Sequence, residues 1–140
     1  MSVFNVLNTA IYSQLTTAGA AGTALTTALG GSAIYYLQAP DNEPRPFVVW
    51  SYQAGGDENA TSHRSKNIVL LFRSFADTPE QAGTIDALVD ACLHLQAFTV
   101  SGWGNFWTAR ETEVNLVENL TSGEKVFMAG GLYRTRLEQN

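Results

Sequence analysis

Charge is scarce in this 140-residue sequence, and the scarcity bears on the partners that the chain can take. Only 15% of the residues are charged, whereas about 25% is usual for a soluble domain. Neutral surface costs less to bury against a partner than charged surface does, so the composition favours a component of an assembly. The eight basic residues are scattered and the net charge is −5. A sequence-independent nucleic-acid binder needs a basic stripe, so the charge balance argues against that class.

Cysteine is also nearly absent. The sole cysteine, Cys92, cannot form an internal disulfide, so a reducing cytoplasm is the simpler expectation. The first fifteen residues carry no positive charge, and polar residues interrupt their apolar positions. We therefore expect neither a secretory signal nor a membrane-spanning segment. The length is that of one ordinary domain, so we expect a single domain over residues 1–140.

Sequence motifs that carry catalysis are missing. Residues 102–104 begin like a dinucleotide-binding loop, but Trp107 stands where that fingerprint needs a glycine. Cys92 and His94 lie two residues apart on a predicted helix, so their side chains point to different faces. Cys92 fits the apolar face of that helix as a small core residue. We predict no catalytic, cofactor-binding or metal-binding residues, and no enzyme activity.

Three helices are predicted. Apolar residues recur at every fourth position over residues 3–15, which lines one face of an N-terminal helix. A short helix near residues 21–29 would end at the glycine pair that follows it. The central helix has the clearest start, because Thr78 can cap the first free amides and Pro79 fits the first helical position. The polar side of this central helix is expected to carry Asp86 and Asp90.

Runs of β-branched and aromatic residues between turn signals predict the strands. They are expected at residues 34–37, 47–52, 67–75, 98–100, 106–116 and 126–137. The third run is apolar on both faces, which is typical of a strand in the middle of a sheet that is covered on both sides. The predicted fold class is α+β, with a single mixed or antiparallel β-sheet of about five to six strands packed with an N-terminal helix and a central capped helix.

The last two strands are expected to form a hairpin with charges on one face. Alternation places Glu111 with Glu113 on one strand and Arg134 with Arg136 on the other. If the strands pair in register, these four residues form a cross-strand ladder of ion pairs. Its expected role is structural, since exposed ion pairs contribute roughly 0–1 kcal/mol each.

Two segments are candidate contact surfaces. Residues 1–40 contain no charged residue and no histidine, so they can be packed between subunits without desolvating a charge; a tolerant surface segment is the alternative. The polar stretch 55–66 is expected to be a mobile loop that orders on docking. The candidate protein–protein contacts are Asn5, Asn8, Gln14, Gly55, Gly56, Asp57, Glu58, Asn59, His63, Arg64 and Lys66. The less favoured alternative is a small metal- or ligand-binding site formed by Asp57, Glu58 and His63.

This order of elements, together with several short sequence segments, resembles the tail-completion, or tail-terminator, proteins of long-tailed bacteriophages. The resemblance covers nearly the whole length and lies in patterns of fold, not of chemistry. The segments are Ile34-Tyr35-Tyr36 followed by Ala39-Pro40, then Pro46-Phe47-Val48-Val49-Trp50, Ile68-Val69-Leu70-Leu71-Phe72, Ala76-Asp77-Thr78-Pro79-Glu80-Gln81-Ala82 and Tyr133-Arg134-Thr135-Arg136-Leu137.

The resemblance implies a structural role. Proteins of this family form a hexameric ring that caps the completed tail tube, stops further tube polymerisation and presents a surface to the head–tail connector. The genome passes through the central channel without sequence-specific binding, and an acidic chain suits such a channel. The implied partners are sister copies, the tail-tube protein and the head–tail connector or stopper protein, with no cofactor and no membrane. The implied location is the head-proximal end of the virion tail, after assembly in the host cytoplasm. Another head–tail connector or stopper protein is the alternative.

Overall fold

The computed structural model describes residues 3–17, 19–58, 62–120 and 122–140. Within those ranges the chain forms three helices and five strands. In chain order they are α1 (Val3–Thr17), α2 (Gly19–Leu29), β1 (Ile34–Tyr36), β2 (Phe47–Glu58), β3 (Ser65–Ala76), α3 (Pro79–Leu93), β4 (Trp103–Asn119) and β5 (Lys125–Gln139). None of the helices described here has the length and apolar character needed to cross a membrane.

The strands form one mixed sheet in the order β1-β2-β3-β5-β4. β1 runs parallel to β2, and every other neighbouring pair is antiparallel. Two of the antiparallel pairs, β2 with β3 and β4 with β5, are hairpins, because short polar segments connect strands that follow each other in the chain. The predicted α+β class is confirmed, with a five-stranded mixed sheet, the N-terminal helix and the central capped helix.

The core lies between the three helices and one face of the sheet. α1 contributes Leu7, Ile11 and Leu15, which are almost fully buried because they share one face of the helix. Trp50 of β2 and Tyr133 of β5 are among the largest buried side chains that the sheet contributes. Residues of all three helices join these two aromatic side chains in one cluster. The opposite face of the sheet carries no helix in the described part of the chain.

β3 is the central strand, but helices cover only one of its faces. Ile68, Leu70 and Phe72 are buried beneath the helices, whereas Val69 and Leu71 point to the opposite face and are half-buried. The prediction of a central strand is confirmed. The prediction that both faces are covered is wrong for the described residues, because the three helices pack into the same cluster on one side.

α3 begins as the sequence predicts. Thr78 Oγ1 accepts a hydrogen bond from the backbone N–H of Gln81 at 3.1 Å, and Pro79 occupies the first turn. The expectation that Asp86 and Asp90 lie on a polar outer side is wrong. Both carboxylates accept hydrogen bonds from side chains of the sheet, because α3 packs across β4 and β5 with this side as well.

The predicted strand at residues 98–100 is not formed. Val100 makes only an isolated bridge with Trp103. The backbone N–H of Phe98 donates to the side-chain oxygen of Asn105 at 3.2 Å instead of to a neighbouring strand. Phe98 and Val100 are nevertheless buried, so their apolar character reflects packing and not strand pairing.

Half of the polar stretch 55–66, residues 55–58 and 65–66, belongs to strands β2 and β3 and not to a loop. β2 extends to Glu58 and β3 begins at Ser65. Ladder hydrogen bonds join backbone groups whatever the side chains are, so polar composition alone predicted the strand ends too early. Residues 62–64 lie between the strands, and residues 59–61 lie outside the described ranges.

The predicted ladder between β4 and β5 forms in part. Arg134 Nε donates to Glu111 Oε1 at 2.7 Å, as expected. Arg136 instead reaches Glu58 of β2, with 2.6 Å between its terminal nitrogen and Oε2, and Glu113 lies 3.7 Å from Arg110. A register shift in β4 at this position breaks the alternation on which the prediction rests.

Candidate docking surfaces

The tip of the β2–β3 hairpin, residues 55–58 and 62–66, holds most of the predicted contact residues. Lys66 Nζ donates to Asp57 Oδ1 at 2.7 Å, and Arg64 Nε lies 3.8 Å from Asp57 Oδ2. These contacts cross from β3 and its preceding turn to β2, so they hold the two sides of the hairpin together. The tip is therefore a charged surface with its own internal ion pairs.

Both carboxylates of this tip are held in the charged form. The hydrogen bond from Lys66 lowers the pKa of Asp57 below its ordinary value. Hydrogen bonds from Asn67 at 2.9 Å and from Arg136 at 2.6 Å lower the pKa of Glu58. Each carboxylate thus has a cation of the same chain beside it. Among the residues that the structure describes, no group of three or more His, Cys, Asp and Glu side chains is arranged to hold a metal ion.

The other predicted contact residues of the tip differ in how strongly the fold constrains them. Gly55 has a φ of +110°, and a Cβ atom there would lie 2.2 Å from the carbonyl oxygen of Asn67, so the backbone requires glycine. Gly56 has open space around its Cα, and His63 is exposed. Asn59 lies outside the described residues. A docking role for the tip stays a prediction.

The predicted contacts on α1 divide into outer and inner residues. Asn5 is exposed and Asn8 is half-buried on the outer side of the helix. Gln14 points inward, and its Nε2 donates to the backbone carbonyl of Cys92 at 2.8 Å. This bond ties α1 to the end of α3, so the Gln14 amide already has a partner within the fold. Contact with another protein stays a prediction for all three.

Three aromatic side chains lie beside these asparagines: Phe4 and Tyr12 of α1, and Tyr52 of the neighbouring strand β2. We call these three side chains the aromatic side of α1. The Phe4 and Tyr12 residues are 44% and 43% exposed. The rings of Phe4 and Tyr52 meet edge to face, with 5.0 Å between centroids. Tyr12 borders a shallow groove against Tyr36 of β1. This end of the sheet therefore presents a neutral, partly apolar surface.

The opposite end of the sheet carries apolar residues that the sequence prediction did not single out. Leu116 and Val117 of β4 are 53% and 49% exposed, and Leu120 after it is exposed as well. Phe106 and Trp107 are exposed toward the other end of the same strand. The sequence predicts a strand here, but only the strand order shows that it is an edge strand.

Both ends of the sheet contain a stretch of strand without a neighbour in the described part of the chain. β1 pairs with β2 only at residues 48–50, so residues 51–58 are unpaired on that side. At the other end, the backbone N–H of Leu95 donates to Thr108 and covers the first part of β4, while residues 112–119 pair with β5 alone. Unpaired edges of this kind are templates for pairing with another strand.

A half-buried network joins α3 to the sheet. Arg110 donates to the two carboxylate oxygens of Asp86 at 2.9 and 2.5 Å and to the hydroxyl of Tyr133 at 3.0 Å. That hydroxyl donates to Asp90 at 3.0 Å. Burial alone would lower the pKa of Arg110, but the bonds with Asp86 and the neighbouring charges raise it above its ordinary value. Burial also raises the pKa of Tyr133. The network fixes α3 against β4 and β5.

Cys92 and His94 have separate surroundings, as predicted. Cys92 is buried in the core, and burial raises the pKa of its thiol to about 11. His94 ends α3, and its Nδ1 accepts a hydrogen bond from the backbone N–H of Arg110 at 3.1 Å. The prediction that Cys92 is a core residue is confirmed.

A groove lies on the sheet face that carries no helix. The segment between β1 and β2, residues 37–46, covers one end of this face and leaves a groove of about 660 Å³. Val49, Phe75 and Val126 line it together with Arg73 of β3. The Arg73 guanidinium lies over the Phe75 ring, 5.7 Å from its centroid. Its Nε is buried and has no hydrogen-bond acceptor in the described structure.

These features define a class of protein: a small α+β domain with helices on one face of a mixed sheet, and with apolar or unpaired surfaces at both ends of that sheet. Such surfaces suit assembly with other proteins. The chain belongs to the tail completion protein gp17 family, whose model matches residues 10–125. It is therefore a structural protein of the phage tail and a virion component. The resemblance found in the sequence is confirmed at the level of the family.

The solved structures that are similar to this chain include two phage-related examples. A chain from the virion of a native gene transfer agent particle has a TM-score of 0.76 and 16% sequence identity, with 98% of both chains covered. The bacteriophage SPP1 gp17 protein has a TM-score of 0.49 and 17% identity, with 99% of this chain and 91% of that chain covered. At the identity of the first structure, the likeness shows the fold alone. A comparison with curated protein sequences gave no match.

Proposed function

We propose that this chain is the subunit of a hexameric ring that caps the completed tail tube and ends tube polymerisation. The ring then provides the surface through which the tail joins the head. Family membership supports the place in the tail. The observation that supports the ring is that the two ends of the sheet present different apolar or unpaired surfaces.

A closed ring repeats one heterologous interface, so each subunit needs two different surfaces that match. The aromatic side of α1 and the unpaired residues 51–58 lie at one end of the sheet. Leu116, Val117 and the unpaired residues 112–119 lie at the other. Rotation about a ring axis preserves the direction of strands that run along that axis, and β2 runs antiparallel to β4 within one subunit. The β4 edge of one copy would therefore meet the β2 edge of the next in the antiparallel sense, as in the hairpins of the fold.

The proposed partners follow from the position of such a ring. The tail-tube protein lies on one side, the head–tail connector on the other, and DNA passes through the channel without sequence-specific binding. The net charge of −5 favours a channel that repels DNA. We propose that residues 1–140 work as one domain, with the tip of the β2–β3 hairpin as a docking arm. The ring belongs at the head-proximal end of the tail, after assembly in the host cytoplasm.

The ring is tested by measuring the mass of the full chain by light scattering coupled to gel filtration, alone and with purified tail tubes. We expect a hexamer in solution or on the tubes. Leu116→Glu puts a charge into the proposed interface and should abolish the hexamer. Ala87→Glu adds the same charge to the exposed side of α3 and should leave the hexamer intact.

Two results would contradict the proposal. One is a wild-type chain that stays monomeric and does not bind tail tubes. The other is exclusive binding to the portal-side connector, which would assign the chain to the connector or stopper proteins instead.

A further inference from the structure

We propose that Leu95, on the turn that follows α3, is an anchor residue that packs against Phe4 and Tyr52 of the neighbouring copy. The proposal rests on the ring proposed above and adds to it a contact between named residues. It is based on a leucine that has an unfavourable backbone conformation and is nevertheless exposed to solvent.

Leu95 adopts a backbone conformation that suits glycine or asparagine. Residues 93–96 form a tight turn, in which the backbone N–H of Gln96 donates to the carbonyl of Leu93 at 3.2 Å. His94 has φ −66° and ψ 125°, and Leu95 has φ +58°. These values are those of a type II turn, whose third residue needs a positive φ. A leucine is strained in that position, because its Cβ atom crowds the backbone.

At most comparable positions the chain avoids this strain. Among the described residues, nine have a positive φ: six are glycines, one is Asn42, and the other two are Leu37 and Leu95. Leu37 lines the groove on the sheet face without a helix. Leu95 is 71% exposed, so burial within the subunit does little to offset its strain. The benefit of an apolar side chain at this position therefore arises in contact with another molecule.

The turn that carries Leu95 is fixed by the strand beside it. The backbone N–H of Leu95 donates to the carbonyl of Thr108 at 2.7 Å, and Gln96 forms an isolated bridge with Thr108. Nδ1 of His94 accepts a hydrogen bond from the backbone N–H of Arg110 at 3.1 Å. A side chain on a fixed backbone loses less conformational entropy when it binds, which favours Leu95 as an anchor.

The ladder pairs of the sheet indicate which surface of the next copy lies opposite Leu95. The row of pairs that contains Thr108 continues through Thr135, Ile68 and Gly55. Leu95, outside β4, and residues 52–55 of β2 therefore lie at the two ends of one row. Where the strands run along the ring axis, rotation from one copy to the next keeps the height of each residue along that axis. Leu95 of one copy then faces residues 52–55 of the next, as a heterologous interface requires.

Phe4 and Tyr52 give this end of the row an aromatic surface. The Tyr52 hydroxyl donates to the carbonyl of Gly55 at 3.1 Å, so the Tyr52 side chain lies beside the row. The ring of Phe4 packs edge to face on that of Tyr52, and Phe4 is 44% exposed. Because residues 1–40 contain no charged residue, a leucine can be buried on this side of α1 without desolvating a charge of that segment. Both α1 and the end of α3 lie on the helix-covered side of the sheet, so the two surfaces meet on the same side of the interface.

The first test compares self-association of the full chain and two variants by sedimentation over a dilution series, alone and with purified tail tubes. Leu95→Asn keeps the branched shape of the side chain, suits the positive φ and removes the apolar surface. We expect it to weaken association about 10-fold or more and to leave the melting temperature unchanged or higher. The matched control, Leu95→Met, keeps an apolar side chain at the same position and should associate nearly as the wild type does.

The second test identifies the surface that receives Leu95. Gln96→Cys and Asn5→Cys place thiols at exposed positions next to Leu95 and Phe4. The two variants are mixed, under the conditions in which the wild type assembles, and treated with a short thiol cross-linker. We expect a cross-linked dimer in the mixture and none with either variant alone, because the contact joins two different surfaces.

The control for the cross-link is a mixture of Gln96→Cys with Thr17→Cys. Thr17 is also an exposed residue of α1, and it lies about 18 Å further along the helix than Asn5. This mixture should give no dimer. The native Cys92 is buried and should contribute little to the reaction.

Five outcomes would overturn the inference. Leu95→Asn could associate like the wild type, in which case the inference fails while the proposed ring stands. Leu95→Asn could lower the melting temperature, which would give the leucine a role within the fold. Leu95→Met could lose association as Leu95→Asn does, which would show that apolar contact is not what the position supplies. The Asn5 mixture could give no dimer, which would place Leu95 against a different surface. The Thr17 mixture could cross-link as readily as the Asn5 mixture, which would remove the assignment to Phe4 and Tyr52. A wild-type chain that neither self-associates nor binds tail tubes removes the ring and the inference together.

Discussion

Replacing Asp86 with alanine should destabilise the fold far more than removing an exposed carboxylate does. Asp86 holds the Arg110 guanidinium through two hydrogen bonds, and the two side chains are only 16% and 12% exposed. Without Asp86 the guanidinium stays between α3 and the sheet with most of its hydration removed. The loss therefore includes the cost of a poorly compensated buried charge, not only the lost bonds.

The structure sets the size of the effect. Removing one member of a buried ion pair costs about 3–5 kcal/mol in the free energy of unfolding. We expect the lower end, about 3 kcal/mol, because Asp90 stays within 3.4 Å of Arg110 Nε and keeps part of the compensation. For a chain of 140 residues, a loss of about 3 kcal/mol corresponds to a melting temperature lowered by about 10 °C.

Urea unfolding followed by circular dichroism measures this free energy directly. The control is Asp77→Ala, which removes a carboxylate from the pair with Arg45, where Asp77 is 60% exposed. Exposed pairs contribute roughly 0–1 kcal/mol, so this variant should be close to the wild type. If Asp86→Ala lowers the free energy of unfolding no more than Asp77→Ala does, the Arg110 network does not stabilise the packing of α3 on the sheet, and the reasoning is refuted.

Three further predictions concern other parts of the fold. Gly130→Ala should prevent stable folding or lower the melting temperature by more than about 10 °C, because the added Cβ atom would lie 2.1 Å from the carbonyl oxygen of Phe72. The control is Gly56→Ala, which should fold normally in the same thermal scan because there is open space around Gly56. Cys92 should react slowly with a thiol reagent at pH 8, because burial raises its pKa to about 11, and rapid labelling of the native chain would contradict its burial. Asp57 and Glu58 have lowered pKa values in the folded chain. Their contribution to the stability of the hairpin tip is present above the ordinary carboxyl pKa and is lost as the pH falls through the lowered pKa values. Amide exchange at the tip, corrected for intrinsic rates, should therefore increase below about pH 4. Equal protection of these amides at about pH 3 and about pH 6 would count against the prediction.

Local sequence patterns predicted the elements of the fold well where one segment decides the outcome. The cap at Thr78 and Pro79 satisfies backbone groups of its own helix, so no distant residue is needed to recognise it. The same holds for the apolar face of α1 and for the burial of Cys92. The strand ends at Glu58 and Ser65 were predicted less well, because ladder bonds between backbones are independent of side-chain polarity.

The candidate surfaces were harder to predict. The exposure of Leu116 and Val117 depends on β4 being an edge strand, and strand order leaves no mark in the local pattern. Asp86 and Asp90 have the spacing of a solvated helix side, but Arg110 lies at least twenty positions away from each and meets them only in the fold.

The low charge of the chain, its helix and strand segments and its family likeness follow from the sequence itself, because each depends on composition or on neighbours within one segment. Tertiary structure decided which polar groups have partners. It placed Arg110 in a closed network and left the Nε atom of Arg73 buried without an acceptor in the described part of the chain, although both are arginines in strands. It also decided that the two ends of the sheet differ and that each contains an unpaired stretch of strand in the described part of the chain, because pairing depends on which strands meet across long stretches of chain.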